Sequence, residues 1–343
     1  MRAGLAVAAA LLRLLPSLWA DALARPRRYP LPCGDVLLLD HLNLNHERGR
    51  HDLLRAFYLD TLRLTPDPRK AENLALGRKG VWANAGITQF HLPEGERAQV
   101  FDGVVTLAAR DPSTLAEVRR QCEDPAEVLK QSRFAWREDG AGGLELSDPW
   151  GSRFRVVLDP EAFDERGSQP GDLSHLVLSD LCVHVPSDAS LEGIARFYET
   201  VLRAPALHLS QEEGSVSVVV SPRQTLTFRR VDQSSGDPHA VLETNDRGEI
   251  IANDGPHLSI YVRDLEGCFR RAQALGLLFV NTRFKRQAFS IEEAMDQCMF
   301  RCLDVVDPLH PEAGPILRLE HEIRSTVNRD GSRYKSCPLR GVS

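Results

Sequence analysis

The chain repeats itself, and that repeat limits its fold more than any other feature. Asp40-His41-Leu42-Asn43-Leu44-Asn45 alternates polar and apolar residues, as a half-buried strand does. It leads into a stretch with Leu54, Phe57, Tyr58 and Leu62 on one helical face. Asp180-Leu181-Cys182-Val183-His184-Val185 alternates likewise and leads into Leu191, Ile194, Phe197, Tyr198, Val201 and Leu202. A second plan also occurs twice. Val105, Leu107 and Ala109 alternate before Arg110-Asp111 and a helix holding Leu115 and Val118. Leu258, Ile260 and Val262 alternate before Arg263-Asp264 and a helix holding Leu265, Phe269, Ala272 and Leu275. Each Asp stands where an N-cap acceptor would satisfy free helix amides.

Short β-rich stretches close the units. Asp148-Pro149-Trp150-Gly151 turns into Phe154-Arg155-Val156-Val157, and Asp307-Pro308 with Gly314 precedes Ile316-Leu317-Arg318-Leu319-Glu320. The pattern therefore predicts an α+β chain of four βαβββ units, near 35–95, 100–160, 175–232 and 255–324. Polar, Gly- and Pro-containing residues 161–174 read as a linker between two pairs of units. On chain order, the first domain spans 31–160 and the second 175–324, with an insertion near 232–255. The tail, 325–343, is polar, and the sequence predicts a solvated extension or a strap over a neighbouring domain.

Composition excludes several classes. Net charge is −6, from 42 basic and 48 acidic residues, so no basic excess exists to hold a phosphate backbone, and nucleic acid is not expected as a partner. Seven cysteines without a CxxC pair do not form a disulfide or zinc-finger framework. Cys298 and Cys302, four apart, are expected on one helix face or at a turn, as free thiols. Residues 1–30 read as a targeting segment. An apolar run from Leu5 to Leu15, broken by Arg13, precedes Ala22-Leu23-Ala24 and three arginines. The run is shorter than the roughly 20 residues that span a bilayer. The mature chain is thus expected in the secretory pathway or an organelle, after removal of a signal or transit peptide, with no integral membrane segment.

Four βαβββ units in two pairs resemble the vicinal oxygen chelate superfamily, which includes glyoxalase I, bleomycin-resistance proteins and extradiol dioxygenases. The matching elements are Asp40-His41-Leu42-Asn43-Leu44 with Phe57-Tyr58, Asp148-Pro149-Trp150-Gly151-Ser152-Arg153-Phe154, and His257-Leu258-Ser259-Ile260-Tyr261-Val262-Arg263-Asp264. The resemblance implies two tandem cup-shaped domains, each built from a pair of units, with ligands on the first and last strand of each unit.

Strand parity assigns residues to the cups. In the second, Asp180, His257 and Glu320 are the expected metal ligands, for Fe, Mn, Ni or Zn. Glu322, His184 or Tyr261 would stand beside the metal as acid or base. Asp180 occupies a position where the family usually has a His. In the first cup, His41, Asn43, Gln89 and His91 line one wall, opposite the apolar Val104 and Val157, which suits a polar ligand group. Three functions remain open on this reading. One is a metal-dependent lyase, isomerase or dioxygenase acting on a small oxygen-rich molecule. Another is a metal-free small-ligand binder, and the third a structural tandem domain with degenerate cups.

Overall fold

The computed structural model describes residues 29–232 and 240–340. The targeting segment therefore lies outside the described residues, except for Tyr29 and Pro30. Among the described residues no helix is long and apolar enough to cross a membrane.

Most strands form two eight-stranded mixed sheets, and two small two-stranded sheets, Leu242–Thr244 with Ile250–Asn253 and His46–Glu47 with Glu94–Gly95, stand apart from them. At the centre of one, Val36–Asn43 runs antiparallel to His257–Val262. Thr88–Leu92 flanks the first of these in parallel, and Pro315–Ser325 flanks the second, also in parallel. The other sheet repeats this plan. Leu176–Pro186 and Gly103–Ala109 are antiparallel at its centre, with Gln224–Val231 and Arg153–Leu158 as parallel flanks.

Each sheet is thus shared by two units, but not by the two that chain order suggests. The first unit pairs with the fourth, and the second with the third. The expected halves, 31–160 and 175–324, do not coincide with the sheets. Consecutive units instead meet back to back through their helices. The Tyr58 hydroxyl donates to Asp148 Oδ2 at 3.4 Å, and the Tyr198 hydroxyl lies 2.6 Å from His321 Nε2. Both contacts join a helix of one sheet to a strand or turn of the other.

Local structure follows the residue pattern. Asp111 accepts from the Thr114 amide at 2.8 Å and caps Pro112–Glu123. Asp264 accepts from the Gly267 amide at 2.8 Å and caps Leu265–Ala274. Asp148 Oδ1 gathers the amides of Trp150, Gly151 and Ser152, which fixes the turn before Phe154. Alternation sends Leu42, Phe90, Leu258, Leu319 and Ile323 into one core with the helix residues Phe57, Tyr58, Tyr198 and Phe269. Their strand neighbours face the opposite side, where the cups form.

Two expectations change. Cys298 sits in the left-handed region at the end of helix Ile291–Gln297, while Cys302 lies within strand Met299–Val306, so they share no helix face. All seven cysteines are free. The tail is not a solvated extension. Tyr334, Cys337 and Leu339 are buried against Leu37, Leu38, Ile87 and Tyr261. It straps across the sheet shared by the first and fourth units, because these three apolar side chains punctuate its polar sequence.

Candidate metal centre and cavity

Among the described residues, three side chains from three strands of the first sheet come close enough to share an ion. They are His41, His257 and Glu322, whose ligand atoms lie within 4.8 Å of one another. His41 and His257 come from the two central antiparallel strands, and Glu322 from the strand beside His257. Across that last pair Ser259 stands opposite Glu322. All three are buried. They line a cavity of about 440 Å³ with Gln89, His91 and Trp82 on one wall and Phe284 and Arg301 on another.

The surroundings hold each group in a defined state. Asp40 Oδ2 lies 2.9 Å from His41 Nδ1 and accepts from Arg324 Nη1 at 2.8 Å. Gln169 Nε2 donates to its other oxygen at 3.3 Å. A carboxylate on Nδ1 keeps the proton there and leaves Nε2 as the free lone pair, the usual support behind a metal-binding imidazole. His257 meets Phe284 edge to face, with ring centroids 5.4 Å apart. Burial, with Arg301 close by, pushes its pKa well below the ordinary value, so the ring is neutral. His91 stacks on Trp82 at 4.1 Å and is likewise kept neutral by burial. Burial alone would raise the pKa of Glu322, but Arg301 and Arg324 reverse the effect and hold it ionised. Arg301 Nη2 donates to Glu322 Oε2 at 2.8 Å.

Two neutral imidazoles and one carboxylate form a donor set that fits a divalent first-row ion, and it is the set of the two-His-one-carboxylate centres. The mouth is basic. Arg69, Lys70, Lys285, Arg286 and Arg324 line the cavity, against Asp40 and Glu322 as its acidic residues.

The structure regroups the residues expected from sequence. His257 and Glu322 of the expected second cup join His41, Gln89 and His91 of the expected first. Asp180 is not with them. It lies on the second sheet, where Thr227 Oγ1 donates to it at 2.8 Å and Thr225 Oγ1 also bonds it. His184 lies on that sheet too, 3.0 Å from Asp102 Oδ1 and 2.9 Å from Arg153 Nη2. Both placements have one cause: the His257 strand pairs with the His41 strand and not with the Asp180 strand.

Glu320 has the expected parity but is fully buried outside the cavity lining. Asn253 and Asn281 donate to its Oε2 at 2.9 and 2.8 Å, and Arg301 Nη1 to its Oε1 at 2.5 Å. It anchors the insertion and Arg301. Tyr261 is buried beneath the Arg324 guanidinium, 5.0 Å from its ring centre, and does not line the cavity. Asn43 is buried opposite His257 and His91 in the register, and its Oδ1 has no hydrogen-bond partner. Arg69, Arg301 and Arg324 were not anticipated from sequence. The signal for Arg324 was its parity with Glu320 and Glu322, hidden because it falls where the last strand was taken to end.

No protein-family model and no characterised protein matches the chain in sequence. Solved structures of similar shape include a proposed dioxygenase from Bacillus subtilis, with 11% identity over 85% of this chain and 86% of that one and a TM-score of 0.49. Glyoxalase I from Zea mays is similar, with 12% identity over 84% and 92% and a TM-score of 0.46. The cppA protein from Streptococcus pneumoniae TIGR4 has 10% identity over 86% and 100%, with a TM-score of 0.42. Four βαβββ units, paired through their first strands into two eight-stranded sheets, give this chain an α+β fold of two paired cups, the architecture that its resemblance to the vicinal oxygen chelate superfamily implied.

Proposed function

We propose that the chain is a metal-dependent enzyme of the glyoxalase/dioxygenase type, acting on a small, oxygen-rich, anionic molecule in the cavity of the first sheet. The convergence of His41, His257 and Glu322 within 4.8 Å carries this reading. A divalent ion held there would supply Lewis-acid polarisation of substrate oxygens at its open positions.

The chain's own residues do the rest. Asp40 orients His41 through Nδ1. Arg301 and Arg324 keep Glu322 ionised and fix its rotamer. Lys70, Lys285 and Arg286 at the mouth attract an anionic group on the substrate. His91, neutral and stacked on Trp82, accepts a hydrogen bond from a substrate hydroxyl in the cavity. Trp82 and Phe284 cover the centre with apolar surface and exclude water. The two-His-one-carboxylate set favours Fe(II) and oxygen-dependent cleavage of a vicinal diol over isomerisation.

A metal-free binding cup is the second reading, favoured by the Arg301–Glu322 pair, which already neutralises the carboxylate. The two separate cleanly. The full-length chain is loaded anaerobically with Fe(II), desalted and assayed for bound metal, then for oxygen uptake with catechol-type carboxylates. Retained iron that His257→Ala and Glu322→Gln remove, with uptake that follows the iron, supports the enzyme. An iron-free chain that still binds the aromatic acid supports the binder and rejects the enzyme.

A further inference from the structure

A second group of metal-binding side chains lies outside the cavity. His46 belongs to the short strand His46–Glu47, which pairs in parallel with Glu94–Gly95, so His46 stands opposite Glu94. His51 begins the helix His51–Leu54. The two rings meet edge to face with centroids 4.8 Å apart. The ligand atoms of His46, His51 and Glu94 all lie within 4.8 Å of one another. None of the three lines the cavity of the proposed enzyme.

The hydrogen bonds fix both tautomers. His46 Nδ1 lies 3.1 Å from the Leu92 carbonyl oxygen, and His51 Nε2 lies 2.9 Å from that of Lys79. A carbonyl only accepts, so each of these nitrogens carries the hydrogen. The lone pairs therefore sit on His46 Nε2 and His51 Nδ1. Both atoms are buried and have no hydrogen-bond partner. His46 is 1% and His51 7% exposed, so water does little to satisfy them.

Two buried acceptors with no donor are costly. The carboxylate of Glu94 accepts from the amides of Gly49 at 3.2 Å and Lys79 at 3.0 Å, which fixes its position. A backbone carbonyl behind each imidazole is the arrangement that orients metal-bound His.

From this geometry we infer that His46, His51 and Glu94 form a second divalent-metal site, of zinc type, with water in the fourth position. Zinc–nitrogen and zinc–oxygen bonds are about 2.0–2.2 Å long, so binding would draw together three ligand atoms that already lie within 4.8 Å of one another. The ion would staple three segments of the first unit: the 46–49 turn, the start of its helix, and the Lys79–Glu94 hairpin. Its role is to hold that edge of the unit in place, since none of its three ligands lines the cavity of the first sheet.

The test uses the full-length chain with the cavity centre removed by His41→Ala and His257→Ala together. Zn(II) is added in a competing chelator, and bound zinc is counted after desalting. The inference expects one zinc per chain in this background, none after a further His46→Ala or His51→Ala, and at least tenfold weaker binding after Glu94→Gln. Glu94 is part-exposed, so Glu94→Gln remains decisive should either His variant fail to fold. A background chain without zinc, or with zinc held equally well after Glu94→Gln, overturns the inference. The outcome is independent of the cavity. If the unsubstituted chain holds one zinc that survives His257→Ala and is lost with His46→Ala, the second site stands, while the proposed enzyme is still decided by Fe(II) loading of the cavity.

Discussion

In the sheet built on the His41 and His257 strands, the inward positions of first and last strands leave a cavity of about 440 Å³. In the sheet built on the Thr106 and Asp180 strands, several of the same positions pair with polar neighbours. Asp180 is closed by Thr225 and Thr227, and Thr227 in turn meets Ser217 at 2.8 Å. Arg155 Nη2 donates to Asp139 at 2.7 Å. His184 is shared between Asp102 and Arg153. The strand order is identical, so the backbone does not make a cup into a site. What matters is whether the side chains at equivalent positions satisfy each other or leave lone pairs facing a shared space.

The largest expected effect falls on metal binding. His257→Ala or His41→Ala should reduce affinity at the open cup by more than about 100-fold, since even outer-shell changes cost 10–100-fold. Asp40→Asn, one step behind His41, should cost about 10–100-fold. Asp180→Ala should leave bound metal unchanged. Metal content by mass spectrometry decides, and a loss of metal with Asp180→Ala would erase the distinction between the cups.

Arg301 ranks next. It is 5% exposed and pairs with both Glu320 and Glu322. Truncating one partner of a buried ion pair costs about 3–5 kcal/mol, because the remaining charge stays buried. Arg301→Ala should lose about that much in denaturant unfolding of the metal-free chain. Metal at about 100 times its Kd should add back roughly 2.7 kcal/mol by mass action. Recovery that is absent in the His257→Ala background locates the effect in the cup.

Strand phase and helix starts were legible in the sequence, because local residues set both. Leu42 and Leu44 against His41 and Asn43, or Leu317 and Leu319 against Glu320 and Glu322, fix which side faces the core. Asp111 and Asp264 fix where helices begin. The choice of partner between units is not local. Any two βαβββ units can pair along their first strands, and chain order offered the wrong pairing. A trace of the true one was present. The expected first cup had His41 and His91 facing an empty apolar wall, and the expected second had its acids beside a misplaced Asp180. Joining the first unit to the fourth completes one site and leaves Val104 and Val157 in a cup with no use for them. The buried Asp40–Arg324 pair, 284 residues apart, ties that seam together and cannot be read from either segment alone.

The back of the open cup gives a pH test. His321 is fully buried beneath Tyr198, and burial lowers its pKa from the ordinary 6.5 to about 4. The unfolded chain therefore takes up the proton first. Its contribution is complete above about pH 6.5 and is lost as pH falls towards 4, by about 3 kcal/mol at most. His321→Phe removes the titration and leaves the Tyr198 hydroxyl without its partner. It should be less stable than the parent at pH 7.5 and lose less between pH 6.5 and 4.5. Equal slopes of thermal midpoint against pH would show that His321 does not titrate there.

The smallest effect tests whether the polar residues of the second cup serve its structure. Asp180→Ala leaves the Thr225 and Thr227 hydroxyls without their acceptor in a buried setting, which costs about 1–3 kcal/mol. Asp180→Asn keeps a carbonyl acceptor for one of them and should cost less than Asp180→Ala. If the cup is a structural element, unfolding of these variants follows that order while metal content and oxygen uptake stay at parent values. If instead Asp180 belonged to a working site, Asp180→Asn would lower turnover without lowering stability. The two variants therefore separate a residue that closes a cup from one that serves it, since only the first ties its effect to the number of acceptors left for the two threonines.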